Sequence, residues 1–244
     1  APYSRADSDL VGGPTGDGAV VPMNWNRSYN LQGNLLYSFS PEMKLKYELV
    51  YQNTQAPSGS GNSGVFVTRY KPDGRRLART KSFTHTFDWT HVLSDRAFYT
   101  AKFLYNFDRT TSWVFDDPND PRYLPSYYLR GLGNTGFLTG GVDLFRFKQR
   151  TVSMTGKVDL VAQVFGVHEV KAGIQVTRHE VAAESYTLLF QDPNYPSIDP
   201  SPTNFFTGLY NFRPVIPSVE GGYLYYKKKP TQAAAYVQDK IELF

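Results

Sequence analysis

The chain has 244 residues, 41% apolar and 16% aromatic, with 18 Tyr and 17 Phe. Its formal charge of +4 is mild, and Lys227-Lys228-Lys229 is the one concentrated basic run, so the clustered cationic face of a nucleic-acid module is missing. The absence of cysteine excludes disulfides and thiolate metal sites. No apolar stretch approaches the roughly 20 residues that a transmembrane helix needs. A mean hydropathy of −0.42 reads as soluble. That measure is blind to β-barrels, whose strands alternate lipid-facing and lumen-facing residues.

Period-two alternation dominates the chain from residue 28 onward. In residues 28–39, Tyr29, Leu31, Leu35, Tyr37 and Phe39 share a face, with Asn30, Gln32 and Asn34 opposite. Ser40-Pro41-Glu42 has tight-turn composition. Residues 43–52 return with Met43, Leu45, Tyr47, Leu49 and Tyr51 on one face. A second hairpin runs through residues 82–90, a turn at Leu93-Ser94-Asp95-Arg96, and residues 97–107, where Tyr99, Phe103, Tyr105 and Phe107 align. The third takes residues 151–160, a turn around Phe165-Gly166-Val167, and residues 169–177. A last strand is expected over 231–243, where Asp239 interrupts an otherwise apolar face.

The connections alternate in length. Each turn within a hairpin is a few residues, whereas residues 56–79, 116–149 and 188–230 separate the hairpins. Short turns at one end and long loops at the other are the pattern of an outer-membrane barrel. The alternating runs also meet the roughly 9–11 residues that a tilted transmembrane strand requires. The expected fold is all-β: antiparallel transmembrane β-barrel strands, about seven of them, with long extracellular loops. Residues 1–244 then form part of one barrel domain. An odd number of strands does not close a usual bacterial barrel, so the chain reads as an internal piece of a larger protein.

Four stretches resemble the barrel of TonB-dependent outer-membrane receptors, especially the Bacteroidetes type with a carboxypeptidase-regulatory-like N-terminal domain. They are Tyr29-Asn30-Leu31-Gln32-Gly33-Asn34-Leu35 with the Ser40-Pro41-Glu42-Met43-Lys44-Leu45 turn; Thr90-His91-Val92-Leu93-Ser94 before Ala97-Phe98-Tyr99; Asp117-Pro118-Asn119-Asp120-Pro121-Arg122-Tyr123; and Ala235-Tyr236-Val237-Gln238-Asp239-Lys240-Ile241-Glu242-Leu243. The resemblance implies a plugged barrel in the bacterial cell outer membrane that takes up an unidentified substrate. It implies three partners: outer-membrane lipid, the TonB system engaged through an N-terminal part, and a surface lipoprotein. The plug and N-terminal domains are not among these residues.

Chemistry-bearing motifs are weak. Gly131-Leu132-Gly133-Asn134-Thr135-Gly136 fits GxGxxG, but no helical pattern follows it. Asp116, Asp117, Asn119 and Asp120 could offer oxygens to Ca²⁺, yet two prolines and no turn glycine separate them from an EF-hand loop. None of His85, His91, His168 and His179 has metal-site spacing. No GxSxG elbow occurs, so neither a catalytic group nor a cofactor is expected, and the chain does not read as an enzyme. The long loops are the better candidates. Aromatics with arginines make competent binding surfaces, and Trp113, Arg122, Tyr123, Tyr127, Tyr128, Arg130, Phe205, Phe206, Tyr210 and Arg213 are expected to face a ligand or partner. The same aromatics also suit loop packing and an outer aromatic girdle. Two other functions compete with the transporter: a non-transporting adhesion or structural barrel, and a soluble all-β binding domain or β-sandwich carbohydrate enzyme.

Overall fold

The computed structural model describes residues 22, 24–58, 72–123, 142–198 and 211–241. Ten strands occur among them: β1 (Arg27–Ser38), β2 (Met43–Ser58), β3 (Arg76–Ser94), β4 (Ala97–Trp113), β5 (Phe145–Val164), β6 (His168–Thr187), β7 (Leu189–Gln191), β8 (Arg213–Val215), β9 (Leu224–Lys228) and β10 (Thr231–Ile241). The only helical piece among the described residues is a single 3₁₀ turn, Pro72–Gly74.

Eight strands form one antiparallel sheet in the order β1-β2-β3-β4-β5-β6-β10, with β9 also on β6. β10 pairs with residues 168–178 of β6, and β9 with residues 181–185. The two therefore act as one interrupted seventh strand. Pro230 at the break has no N–H to give the ladder, but its carbonyl still accepts from the His179 amide at 2.9 Å. β7 and β8 make a separate two-stranded sheet. The large sheet does not close, so β1 and the β9/β10 strand are its edges.

The three hairpin turns fall where the alternation places them. Ser40 caps the first: its hydroxyl accepts from the amides of Glu42 and Met43 and donates to the Glu42 carboxylate at 2.8 Å. A bulge between Val92 and Ser94 leads into the two-residue turn before Ala97. Phe165 and Gly166 turn the third with φ of 52° and 77°.

The strands are longer than the apolar alternation suggests. β3 has 19 residues, and β5 and β6 have 20 each. The expected loops shorten accordingly, and residues 188–230 contain β7, β8 and β9. The reason is local. Arg79-Thr80-Lys81, Lys148-Gln149-Arg150 and Arg178-His179-Glu180 are polar on both faces. Hydropathy alternation vanishes there, but the backbone ladder continues in register.

The buried core sits at the long-loop end. Tyr123, Val142, Tyr186, Leu188 and Phe190 form it, and Val114, Phe115, Leu144, Phe212 and Tyr223 pack around them. The loops are tied to each other as well. The Asp143 amide donates to the Gly74 carbonyl at 2.8 Å, and Arg76 pairs with the Asp143 carboxylate at 2.7 Å.

Candidate functional site

Register assigns every side chain of the large sheet to one of two faces, because directly paired residues point the same way. One face is apolar. Leu35, Tyr47, Phe87, Phe103, Gly156 and Val176 form one row across it, and Tyr37, Leu45, Trp89, Ala101, Val158 and Ile174 the next. No described layer covers it: Leu35 is 65% exposed, Phe103 46% and Ile174 60%. His85, the polar side chain in the middle of this face, is satisfied by the Tyr47 hydroxyl at 2.7 Å and sits among the rings of Phe83 and Tyr105.

The other face is polar and self-satisfied. Lys46 pairs with Glu48 at 2.5 Å, Lys102 with Asp88 at 3.2 Å, Lys157 with Asp159 at 2.8 Å and Lys171 with Glu169 at 2.7 Å. Cross-strand hydrogen bonds fill the space between. Asn106 donates to Thr84 at 2.8 Å, and Ser153 meets His179 at 2.8 Å. The Tyr236 hydroxyl donates to Asp159 at 2.8 Å. Ion pairs this exposed add little to stability, because water and salt screen them. Their arrangement suits a wetted surface more than a stabilising core.

At the long-loop end, Arg109, Trp113, Asp116, Arg146, Lys148, Glu184, Tyr186 and Ile216 line a cleft of about 630 Å³. Arg146 organises it. This guanidinium, in a residue 5% exposed, donates to the carbonyls of Phe115 at 2.6 Å and Asp116 at 2.7 Å and to the Tyr123 hydroxyl at 2.8 Å. It also lies 4.6 Å from the Trp113 ring centre. Three of its contacts thus hold the 114–123 segment. Arg109 and Lys148, both exposed, are the cations left to meet a ligand. Cations and aromatic walls in one cleft can hold an anionic or polar ligand.

The structure separates the expected loop residues. Trp113 closes β4 and donates to Asp116 at 2.6 Å. Arg122 forks onto Asp120 at 2.9 and 2.7 Å and covers the Phe115 ring at 4.1 Å. Tyr123 is 1% exposed, so it packs the core instead of facing a ligand; its hydroxyl bridges the Phe115 backbone and Arg146. Arg213 opens β8 and is exposed. Tyr127, Tyr128, Arg130, Phe205, Phe206 and Tyr210 lie outside the described residues, as does the GxGxxG stretch.

The acidic loop does not converge on a cation. Asp116 takes Trp113, Asp117 caps the Asn119 amide at 2.8 Å, and Asp120 takes Arg122. The Arg122 guanidinium holds the Asp120 carboxyl below its usual range. Among the described residues no group of three or more His, Asp or Glu is placed to hold a metal ion. Asp239 finds its reason at the short-turn end, where its carboxylate meets His168 at 2.8 Å on the neighbouring strand. Arg146, Lys148 and Arg150 are the residues that the loop-centred reading misses. Their spacing in Phe145-Arg146-Phe147-Lys148-Gln149-Arg150 is itself a period-two signal, carried by charge instead of hydropathy.

No family model, no curated protein and no solved structure matches the chain.

Proposed function

We propose that the chain builds part of the wall of a bacterial outer-membrane β-barrel, and that this barrel is a TonB-dependent receptor taking up a substrate. The uncovered apolar face is the observation that supports this reading most. The run from Val152 to Ala162 covers about 34 Å of strand, which at a tilt of about 40° is roughly 25 Å of height. That matches the apolar band of an outer-membrane barrel. Seven strand positions about 4.8 Å apart along that length of strand cover roughly 1,100 Å². The largest apolar patch on a soluble monomer is nearer 300–600 Å². Lipid is the simplest cover for a surface of this size.

The polar face then lines the lumen, with its ion pairs wetted. The unpaired edges of β1 and β9/β10 would pair with further strands, because closure is how a barrel removes its edges. The long loops would gather on the cell surface, where the cleft under Arg146 lies on the same side of the sheet as the lipid-facing residues. It would serve a docking role at the rim more readily than substrate passage through the lumen. The transport assignment rests on the four family-like stretches.

Fractionation of native cells tests the barrel. Recovery in the outer-membrane fraction, with release by detergent only, is the expected result; recovery in the soluble fraction contradicts it. Peptide mapping of the intact protein tests the transporter. A plug domain ahead of these strands supports it, and a barrel without one favours an adhesion or structural role.

A further inference from the structure

A row of cations crosses the apolar face at its long-loop border. Lys81 on β3 pairs directly with Arg109 on β4, and Arg109 with Arg150 on β5. The next row toward the short turns is Tyr51, Phe83, Phe107 and Val152. All three cations are exposed. Among the described residues none of them has a carboxylate partner. Lys81 lies 5.8 Å from the Tyr51 ring centre and Arg150 5.8 Å from that of Phe107, so both lean toward the apolar band. Beside them a cleft of about 230 Å³ opens between Arg150 and Arg178, over Tyr105, Val152 and Met154. The carboxylate in that cleft, Glu180, is already neutralised by Lys227 at 3.1 Å and Lys229 at 3.2 Å.

Like charges directly opposite each other on neighbouring strands repel. Three in one row, with a fourth across a cleft, call for an anion. The floor beneath them is apolar and continuous with the wide apolar face. A soluble anion gains nothing from that floor, whereas an amphiphile gains from both parts. We propose that this belt binds the phosphate groups of lipids in the surrounding leaflet. Acyl chains would lie over Val152, Met154 and the Phe107 ring, with phosphate oxygens among Lys81, Arg109, Arg150 and Arg178. Guanidinium groups suit the task because they grip phosphate through two parallel hydrogen bonds. The inference rests on the barrel reading and adds a headgroup preference to it.

The test uses the full-length protein purified in a neutral detergent. It is titrated with micelles containing either phosphatidylglycerol or phosphatidylcholine, and retained lipid is counted by native mass spectrometry. Phosphatidylglycerol should be retained preferentially, with a preference that falls as salt rises. The Lys81→Gln/Arg109→Gln/Arg150→Gln variant should lose roughly two orders of magnitude of that preference. Lys46→Gln/Lys102→Gln, on the opposite face, should keep it. Equal retention of the two lipids by the unmodified protein, a measurement that needs no variant, overturns the inference. So does an equal loss in the opposite-face variant. Displacement of phosphatidylglycerol by excess inorganic phosphate would reassign the belt to a soluble anion. A protein that stays dispersed without detergent removes the barrel reading itself; one that needs detergent but shows no headgroup preference removes this inference alone.

Discussion

Tyr236 reaches across β6 to Asp159, and the residue between them is Gly173. Asp159, Gly173 and Tyr236 are register partners on three adjacent strands. A Cβ on Gly173 would stand 2.5 Å from both the Asp159 carboxylate and the Tyr236 ring. The missing side chain is what allows the phenol to donate to Asp159 at 2.8 Å. Removing that bond by Tyr236→Phe should destabilise only slightly, since Lys157 still holds the carboxylate. Gly173→Ala should cost more, because it displaces the whole ring. Denaturant unfolding of the two single variants and of Gly173→Ala/Tyr236→Ala checks this. The penalty of Gly173→Ala should shrink in the Tyr236→Ala background, and equal penalties in both backgrounds would contradict the steric account.

Arg146 should behave as the clasp of the 114–123 segment. Its replacement by Ala leaves the Asp116 carbonyl without its donor and the Phe115 carbonyl with the Tyr123 hydroxyl alone, and should destabilise by about 3 kcal/mol. Lys should rescue poorly, because one ammonium cannot reproduce a planar fork serving several acceptors. Hydrogen exchange should show the loss confined to residues 114–123, with the middle of β5 unchanged. A uniform loss over the sheet would contradict the assignment.

Phe165 carries a backbone penalty that nothing offsets. It sits at φ 52° and is 91% exposed. An L-residue in that region costs roughly 1–2 kcal/mol, and asparagine tolerates it better. Phe165→Asn should therefore stabilise by roughly 0.5–1 kcal/mol, and the β-branched Phe165→Val should destabilise. Thermal or denaturant midpoints of both variants check the order.

Acid should loosen the 116–123 loop before the sheet. Asp120 sits below its ordinary value of 3.8, first through its hydrogen bond with Arg122. An unfolded chain therefore takes up a proton at a higher pH than the folded one. The contribution is complete above that ordinary value and is lost as pH falls through the lower folded value. Arg122 is exposed, so the effect is small and weakens with salt. Trp113 fluorescence, through its bond to Asp116, should report a change below the ordinary carboxylate range in the native chain and a smaller one in Asp120→Asn. The same transition in both would assign it elsewhere.

The hairpins were legible because a sheet with one apolar and one polar face imposes period two, and Tyr99, Phe103, Tyr105 and Phe107 carry that period without interruption. The long-loop ends of β3, β5 and β6 were not. Lys81, Arg150 and Arg178 occupy apolar-face positions there, so pairing, not hydropathy, extends the strands. Tyr123 looked like a loop aromatic because sequence spacing cannot show that Arg146 reaches its hydroxyl. Asp239 broke the alternation of β10, and only the neighbouring His168 explains it. The Leu224–Lys228 segment was hidden by the break at Pro230.

The most direct test of the account is a spin-label scan along β5, one cysteine at a time from residue 152 to residue 160, in native-like membranes. The chain has no cysteine, so each label site is unique. Collision rates with oxygen, which concentrates in lipid, and with a water-soluble nickel complex are measured at each position. Alternation with period two is expected: Val152, Met154, Gly156, Val158 and Leu160 reached by oxygen, and Ser153, Thr155, Lys157 and Asp159 by nickel. Apolar-face positions shielded from both probes, or reached equally by both, would show that protein or water covers that face, and would contradict a lipid-facing barrel wall.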